Sequence, residues 1–183
     1  MRRLVASALI AACATLSAGC GLIEEATRSE PGKSVGALET FKAQGYEISL
    51  PCIPATGSDT APVPGRIKPI RYRVWSCEDS DTAYLVSTAR LPADMQGDLD
   101  GVAQGAAEGL DGKVVMNKKV TYAGLPARDI RVESTYQGKP ATFFGRVLVR
   151  KRVLYQVVVV ELGEHTKKPP ALYRKILQSL SFT

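Results

Sequence analysis

Residues 143–162, FFGRVLVRKRVLYQVVVVEL, consist of two apolar segments joined by Arg150-Lys151-Arg152. Phe143 to Val149 and Val153 to Leu162 are rich in the β-branched and aromatic residues that favour strands, so the stretch predicts a β-hairpin. Val157 to Val160 form an uninterrupted apolar run. Because a strand without polar positions must be covered on both faces, this run predicts the centre of a sheet.

Further strands are predicted on both sides of this hairpin, because short runs of apolar residues end at turn residues. They are Tyr46 to Leu50, Ile70 to Cys77, Ala83 to Leu91, Val114 to Tyr122 and Ala127 to Val132. Residues 53–65 are rich in proline and glycine and are predicted to form a loop.

Two helices complete the pattern. Residues 97–111 place apolar side chains on one helical face, at Leu99, Val102, Ala103, Ala106 and Leu110. A closing helix is predicted to begin near Pro169 or Pro170, since proline suits a first helical turn. Its apolar face consists of Leu172, Ile176, Leu177 and Leu180.

The N-terminal segment has the features of an export signal. Arg2 and Arg3 precede an apolar run from Leu4 to Leu16, and small residues lead to Cys20. The run has about 13 residues, whereas a membrane-spanning helix needs roughly 20. Removing residues 1–19 lowers the formal charge from +6 to +4, because two arginines leave with them. Residues 20–44 are predicted to be a flexible tether with one helical turn near Leu38 and Phe41.

Leu16-Ser17-Ala18-Gly19-Cys20 resembles the lipobox of bacterial lipoproteins, although the usual leucine three places before the cysteine is Ser17. The resemblance implies cleavage before Cys20 and a diacylglycerol-type, palmitate-bearing anchor on its thiol. The chain would then be held in the cell membrane, on its extracytoplasmic face. The alternative is an ordinary secretory signal.

That interpretation determines which cysteines are left to form a disulfide. Cys13 would leave with the signal and Cys20 would carry lipid, so Cys52 and Cys77 remain as a pair. In an oxidising cell envelope such a pair predicts a structural disulfide. A metal site is the alternative, but His165 is the only histidine and no CxxC motif occurs.

The order of these elements resembles the PsbP-like α/β/α sandwich superfamily, and within it the LpqN-type lipoproteins of actinobacteria. The resemblance is carried by Ile48-Ser49-Leu50-Pro51, Gly124-Leu125-Pro126-Ala127-Arg128, Arg146-Val147-Leu148-Val149, Val153-Leu154-Tyr155 and Ser179-Leu180-Ser181-Phe182. It implies one α+β domain over residues 45–183, an antiparallel sheet with helices on both faces. Family members are mostly non-enzymatic accessory or binding proteins, and the resemblance carries over no catalytic residue.

The sequence predicts neither an enzyme nor a cofactor or metal site. His165 lies in a polar segment, Glu164 to Lys168, and is interpreted as a solvated loop residue. No GxSxG, HExxH or phosphate-binding glycine motif occurs. Clustered aspartates are interpreted as turn and helix-cap residues, with a weak calcium site as the alternative. They are Asp79, Asp81, Asp94, Asp98 and Asp100.

Two sets of residues are candidates for binding. Arg71 and Arg73 share one face of a predicted strand. They belong to a basic set that predicts a cationic patch for anionic headgroups or an acidic partner. Its other members are Arg66, Lys68, Arg128, Arg131, Arg146, Arg150, Lys151 and Arg152. Gly101 and Gly105 belong to a glycine repeat with Gly97 and Gly109 and predict a groove beside the first helix. A generally charged surface, and close packing of the helix on its own sheet, are the respective alternatives.

These observations predict a membrane-anchored envelope lipoprotein that acts as a non-enzymatic binding or accessory module for a protein partner. The alternative function is a carrier of a small hydrophobic ligand or lipid. Nucleic acid is excluded as a partner by the predicted location. The charge of the exported chain is too small to identify the partner.

Overall fold

The structure, a computed structural model, describes residues 37–61, 69–79, 81–93, 95, 97–136 and 138–183. This part of the chain forms ten strands and two helices. The strands are β1 Glu39–Ala43, β2 Tyr46–Leu50, β3 Ala55–Ala61, β4 Ile70–Asp79, β5 Thr82–Arg90, β6 Lys113–Tyr122, β7 Leu125–Tyr136, β8 Lys139–Arg150, β9 Val153–Leu162 and β10 Ser181–Phe182. The helices are α1 Leu99–Gly109 and α2 Ala171–Ser179. Neither described helix is long and apolar enough to span a membrane.

The strands form two antiparallel sheets. Seven strands make the large sheet in the order β3-β4-β5-β9-β8-β7-β6, and three make the small sheet in the order β1-β2-β10. β8 and β9 are neighbours, and β9 occupies the middle position of the large sheet. The predictions of a hairpin and of a central valine-rich strand are therefore confirmed, as is the antiparallel α+β class.

Alternate side chains along β9 enter two different hydrophobic clusters. Leu154 and Val158 belong to the first cluster, which also contains the buried apolar residues of α1. Val157 and Val159 belong to the second cluster, which contains the buried residues of β2 and α2. Successive strand residues point to opposite faces, so the two clusters lie on the two faces of the large sheet. The valine run is apolar throughout because both of its faces are covered.

α1 begins and ends with side-chain and backbone caps. The Asp98 carboxylate accepts hydrogen bonds from the backbone N–H groups of Asp100 and Gly101, at 3.1 Å each. At the other end Asp111 adopts a left-handed φ of 47°, and the Gly112 N–H donates to the Ala107 carbonyl at 2.8 Å. These contacts satisfy free backbone groups at both ends of the helix. All five predicted apolar positions of α1 are buried in the first cluster.

Three strands occur where the sequence predicts none: β1, β3 and the two-residue β10. β1 replaces the helical turn near Leu38 and Phe41, so the small sheet begins inside the segment assigned to the tether. Phe41 packs against the second cluster and contacts Trp75, which is distant in sequence. These long-range contacts explain the strand, because a local sequence pattern does not contain them. β3 replaces part of the loop predicted for residues 53–65, because all seven of its residues pair with β4, from Ile70 to Ser76.

The turn between β8 and β9 consists of two basic residues that are uncommon in a turn of its type. Lys151 and Arg152 have φ values of 48° and 64°, in the left-handed region. Two consecutive left-handed residues are typical of the two-residue hairpin turn whose twist matches the flanking strands, where asparagine and glycine are the common choices. Both side chains are exposed, so the turn holds two basic groups at one end of the sheet.

Candidate functional site

A disulfide joins Cys52 and Cys77, with their Cα atoms 5.8 Å apart, as the cysteine count predicts. Cys52 follows β2 in the small sheet, and Cys77 lies on β4 in the large sheet. Cys77 is buried in the second cluster, while Cys52 is half-buried at its margin. The bond therefore fixes one end of the small sheet to the large one.

Aromatic side chains fill the space between the two sheets. The Trp75 ring lies 5.4 Å from that of Phe41 and 5.8 Å from that of Tyr46. Tyr46 in turn lies 5.6 Å from Tyr155, which contacts Phe182 at 5.0 Å. Most of these pairs are edge-to-face, an arrangement that adds about 0.5–1.5 kcal/mol to the burial of each pair. The aromatic chain joins β1, β2 and β10 of the small sheet to β4 and β9 of the large one.

Four arginines lie at the opposite end of the large sheet from the disulfide. Arg71 and Arg73 alternate with Trp75 and Cys77 along β4, so they share the face of the second cluster. By the same alternation Arg90 of β5 and Arg150 of β8 belong to that face. Register places Arg90 and Arg150 on either side of Val153. We call Arg71, Arg73, Arg90 and Arg150 the arginine face.

Exposure distinguishes these side chains from each other. Arg71, Arg73 and Arg90 are exposed. Arg150 is half-buried, lies 5.0 Å above the Phe182 ring and donates to the Thr183 carbonyl at 3.0 Å. The arginine face therefore combines one packed guanidinium with three that reach solvent.

Other arginines of the predicted basic set form ion pairs. Arg128 donates to both carboxylate oxygens of Asp100, at 2.7 and 2.9 Å, and so connects β7 to α1. This guanidinium holds the pKa of Asp100 down to about 2. Arg146 makes the same bidentate contact with Asp129, at 2.7 and 2.8 Å. These charges hold the domain together and do not contribute to the arginine face.

Tyr46 carries a buried hydroxyl beside the arginine face. The residue is 1% exposed, and its Oη forms no hydrogen bond with the described residues. Burial raises its pKa, the neighbouring Tyr155 phenol adds to the increase, and the positive charge of Arg73 opposes it. Tyr173 is also buried, donates to the Val157 carbonyl at 2.9 Å, and has a pKa raised by burial and by Asp129.

We expect these tyrosines to make the fold sensitive to alkali. Their folded pKa values are raised above the unfolded value of about 10, so their contribution to stability is complete below pH about 10 and falls as the pH rises further. Each buried tyrosine that stays neutral should remove about 1.4 kcal/mol per pH unit from the free energy of unfolding above that point. Urea titrations at pH 8 to 11 measure the slope, and Tyr173→Phe should reduce it. A slope that is the same in this variant would contradict the prediction.

The structure separates the two predicted binding sets. Gly105 is buried and Gly101 half-buried in α1, which packs on the first cluster, whereas Arg71 and Arg73 share the face of the second cluster. The two glycines and the two arginines therefore do not form one site. A methyl group at Gly97, just before α1, would lie 2.6 Å from a Val149 methyl. That contact agrees with close packing of this segment on its own sheet.

The structure also places the histidine and two of the clustered aspartates that the sequence singles out. His165 is exposed, Asp98 caps α1, and Asp100 pairs with Arg128. Within the described ranges, no group of three or more His, Cys, Asp or Glu residues is placed to hold a metal ion. Cys20, the signal segment and Asp94 lie outside the described residues.

Sequence reasoning missed one member of the arginine face, Arg90, and placed Arg150 only in the general basic set. Arg90 ends β5, and Arg150 precedes the turn to β9. Neither lies near Arg71 in sequence, and only the strand order brings them together. The signal that was available is weak: each is a basic residue at the end of a predicted strand.

Comparison with known proteins identifies the architecture. No protein-family model and no curated protein matches the chain. Among solved structures it is similar to the cyanobacterial PsbP protein CyanoP from Synechocystis, with a TM-score of 0.56 and 12% identity over 85% of this chain and 98% of that one. The fold is PsbP-like. A further similar structure is LpqN of Mycobacterium tuberculosis, involved in cell envelope biogenesis, with a TM-score of 0.42 and 17% identity over 71% of this chain and 85% of that one.

The PsbP-like fold agrees with the resemblance carried by the sequence motifs. In this chain one end of the large sheet is fixed to the small sheet by the disulfide, and the other end carries the arginine face. The fold itself assigns no activity. What the described surface shows is three exposed guanidinium groups on the arginine face.

Proposed function

We propose that the chain is a non-enzymatic lipoprotein of the cell envelope, anchored through Cys20 to the extracytoplasmic face of the cell membrane. Its PsbP-like domain serves as a binding module for an acidic protein partner. The observation that carries the proposal is the arginine face: three of its four guanidinium groups are exposed, while Arg128 and Arg146 are paired with aspartates. Exposed arginines that form no ion pair with the described residues suit recognition of carboxylates on another molecule.

The position of the tether supports a partner beyond the anchoring membrane. The described chain enters β1 next to Leu50, at the disulfide end of the small sheet. Arg73 and Arg71 lie four and six residues from Cys77 along β4, or roughly 13–20 Å at strand spacing. The arginine face therefore lies at the far end of the domain from the point where the tether enters. This geometry favours a protein in the envelope over the headgroups of the membrane that holds Cys20.

The proposal includes the α/β/α arrangement, with a helix on each face of the large sheet. Its support is the division of the core, since α1 contributes to the first cluster and α2 to the second. On this arrangement α1 and its glycines face away from the partner. The domain then offers one binding end and one packed helical layer.

Two measurements test the function in cells that process lipoproteins. Labelling with an alkyne fatty acid should mark the full chain, and Cys20→Ala should lose the label and leave the membrane fraction. Cross-linking from native envelopes should recover a protein partner. The double variant Arg71→Glu and Arg73→Glu should recover about tenfold less of it, because opposite charges at these positions repel an acidic surface.

The matched control reverses two charges elsewhere. Arg174 and Lys175 are exposed on α2, so their replacement by glutamate changes the net charge equally. This control should recover the partner as well as the unaltered protein does. Equal loss in both variants, or equal recovery, would refute the arginine face as the binding surface. Stoichiometric co-purification of a lipid without a protein would support the carrier function instead.

A further inference from the structure

The two edges of the large sheet differ in how they are protected. β6 forms one edge and carries Lys113, Lys118 and Lys119, with a register shift between Val114 and Met116. Lysines and bulges are devices by which natural sheets prevent a further strand from pairing. This edge is therefore guarded against strand addition.

β3 forms the other edge and has neither a lysine nor a bulge, and its one charged residue is Asp59. Its sequence, Ala-Thr-Gly-Ser-Asp-Thr-Ala, contains no lysine, arginine or proline, and it pairs with β4 at seven consecutive positions without a register shift. In the part of the chain that the structure describes, no strand lies on its outer side. A regular strand at an edge presents backbone N–H and C=O groups that match another strand.

The arginine face lies directly behind this edge. Register places Ser58 opposite Arg73 and Thr60 opposite Arg71, so each arginine stands on the same face as a short hydroxyl side chain of β3. A strand on the outer side of β3 would lie two strand spacings, roughly 9.6 Å, from β4. The side chains of Ser58 and Thr60 are short, so an arginine of β4 and a glutamate of that strand can lean towards each other and meet above β3.

We propose that the β3 edge binds an extended acidic segment of the partner by strand addition, with Arg71 and Arg73 contacting alternate carboxylates of that segment. The inference rests on the proposed function and specifies its mode of recognition. Backbone hydrogen bonds to β3 supply affinity that is independent of side chains, and the two arginines select for acidic residues at every second position. The charge of the arginine face and the open geometry of β3 thus serve one ligand.

The probe is an acetylated and amidated peptide of eight residues that alternates threonine and glutamate. We expect it to bind the exported domain, to protect backbone amides of β3 from hydrogen exchange, and to leave those of β6 unchanged. Arg71→Gln with Arg73→Gln should weaken binding by about tenfold or more, and glutamates at Arg174 and Lys175 should not. A peptide with lysine in place of glutamate should not bind.

Two methylated peptides separate strand addition from charge attraction. One carries N-methyl groups at every threonine and the other at every glutamate, so each blocks hydrogen bonding along one side of the extended peptide. Strand addition predicts that one of them binds and that the other is weaker by about tenfold or more, because only one side pairs with β3. Equal binding of both overturns strand addition while leaving the arginine face in place. Failure of every peptide, with the cross-linked partner still lost in the Arg71→Glu and Arg73→Glu variant, overturns this inference and spares the proposed function.

Discussion

Replacing both Cys52 and Cys77 by alanine should lower the free energy of unfolding by about 3.5 kcal/mol. The bond links residues 25 apart in sequence, and opening a loop of that length increases the entropy of the unfolded chain. The native state is affected as well. Among the described residues, the disulfide adds a covalent link to β4 beyond the peptide chain that runs from β2 into β3, so its loss should loosen the disulfide end of the small sheet first.

Trp75 provides the measurement, because it is the only tryptophan of the chain and lies between the two sheets. Its fluorescence during urea unfolding should report a lower midpoint for the double alanine variant. The unaltered protein in reducing buffer is the control and should unfold at nearly the same midpoint. A loss of stability below about 1 kcal/mol in both cases would show that the bond contributes little.

Trp75→Ala should lower the free energy of unfolding by about 3–5 kcal/mol. The indole is 7% exposed and contacts Phe41 of β1 and Tyr46 of β2, so its removal leaves a cavity where the two sheets meet. The surrounding aromatic rings are held by their own strands, which limits how far they can fill the space. Circular dichroism during thermal and urea unfolding measures the effect without the lost fluorophore.

Two variants calibrate that result. Trp75→Phe keeps an aromatic ring and should recover part of the lost stability. Ile53→Ala removes a large apolar side chain that is 67% exposed, so it should change stability by about 0.5 kcal/mol or less. If Trp75→Ala and Ile53→Ala had similar effects, the second cluster would not hold the small sheet to the large one.

The parts of the fold that could be predicted are those with a strong local pattern. The valine run of β9 and the apolar face of α1 each result from burial of a single element, and that burial is visible in the local pattern of apolar residues. The sequences of β1 and β3 have no such pattern. β1 owes its conformation to Phe41 packing on Trp75, and β3 owes its conformation to backbone pairing with β4. Both causes are distant in sequence.

The same reasoning applies to the candidate site. Arg71 and Arg73 could be paired from sequence because residues two apart on a strand share a face. Their association with Arg90 and Arg150 depends on strand order, which a single sequence does not specify. The ion pairs of Arg128 with Asp100 and of Arg146 with Asp129 join separate elements and likewise require the folded structure. These pairs remove Arg128 and Arg146 from the predicted basic set, and the register of β5 and β9 adds Arg90 to the arginine face.

The placement of Arg71 and Arg73 behind an open edge has a consequence for self-association. Two copies of the protein that joined their β3 strands would bring both arginine pairs towards a common seam, and like charges across a seam repel. The edge would thus be closed to a second copy and open to an acidic segment. Salt screens attraction and repulsion alike, so it would weaken binding of the acidic segment and would also weaken the repulsion that keeps two copies apart. High ionic strength should therefore release the acidic partner and, at high protein concentration, permit dimers that low ionic strength prevents.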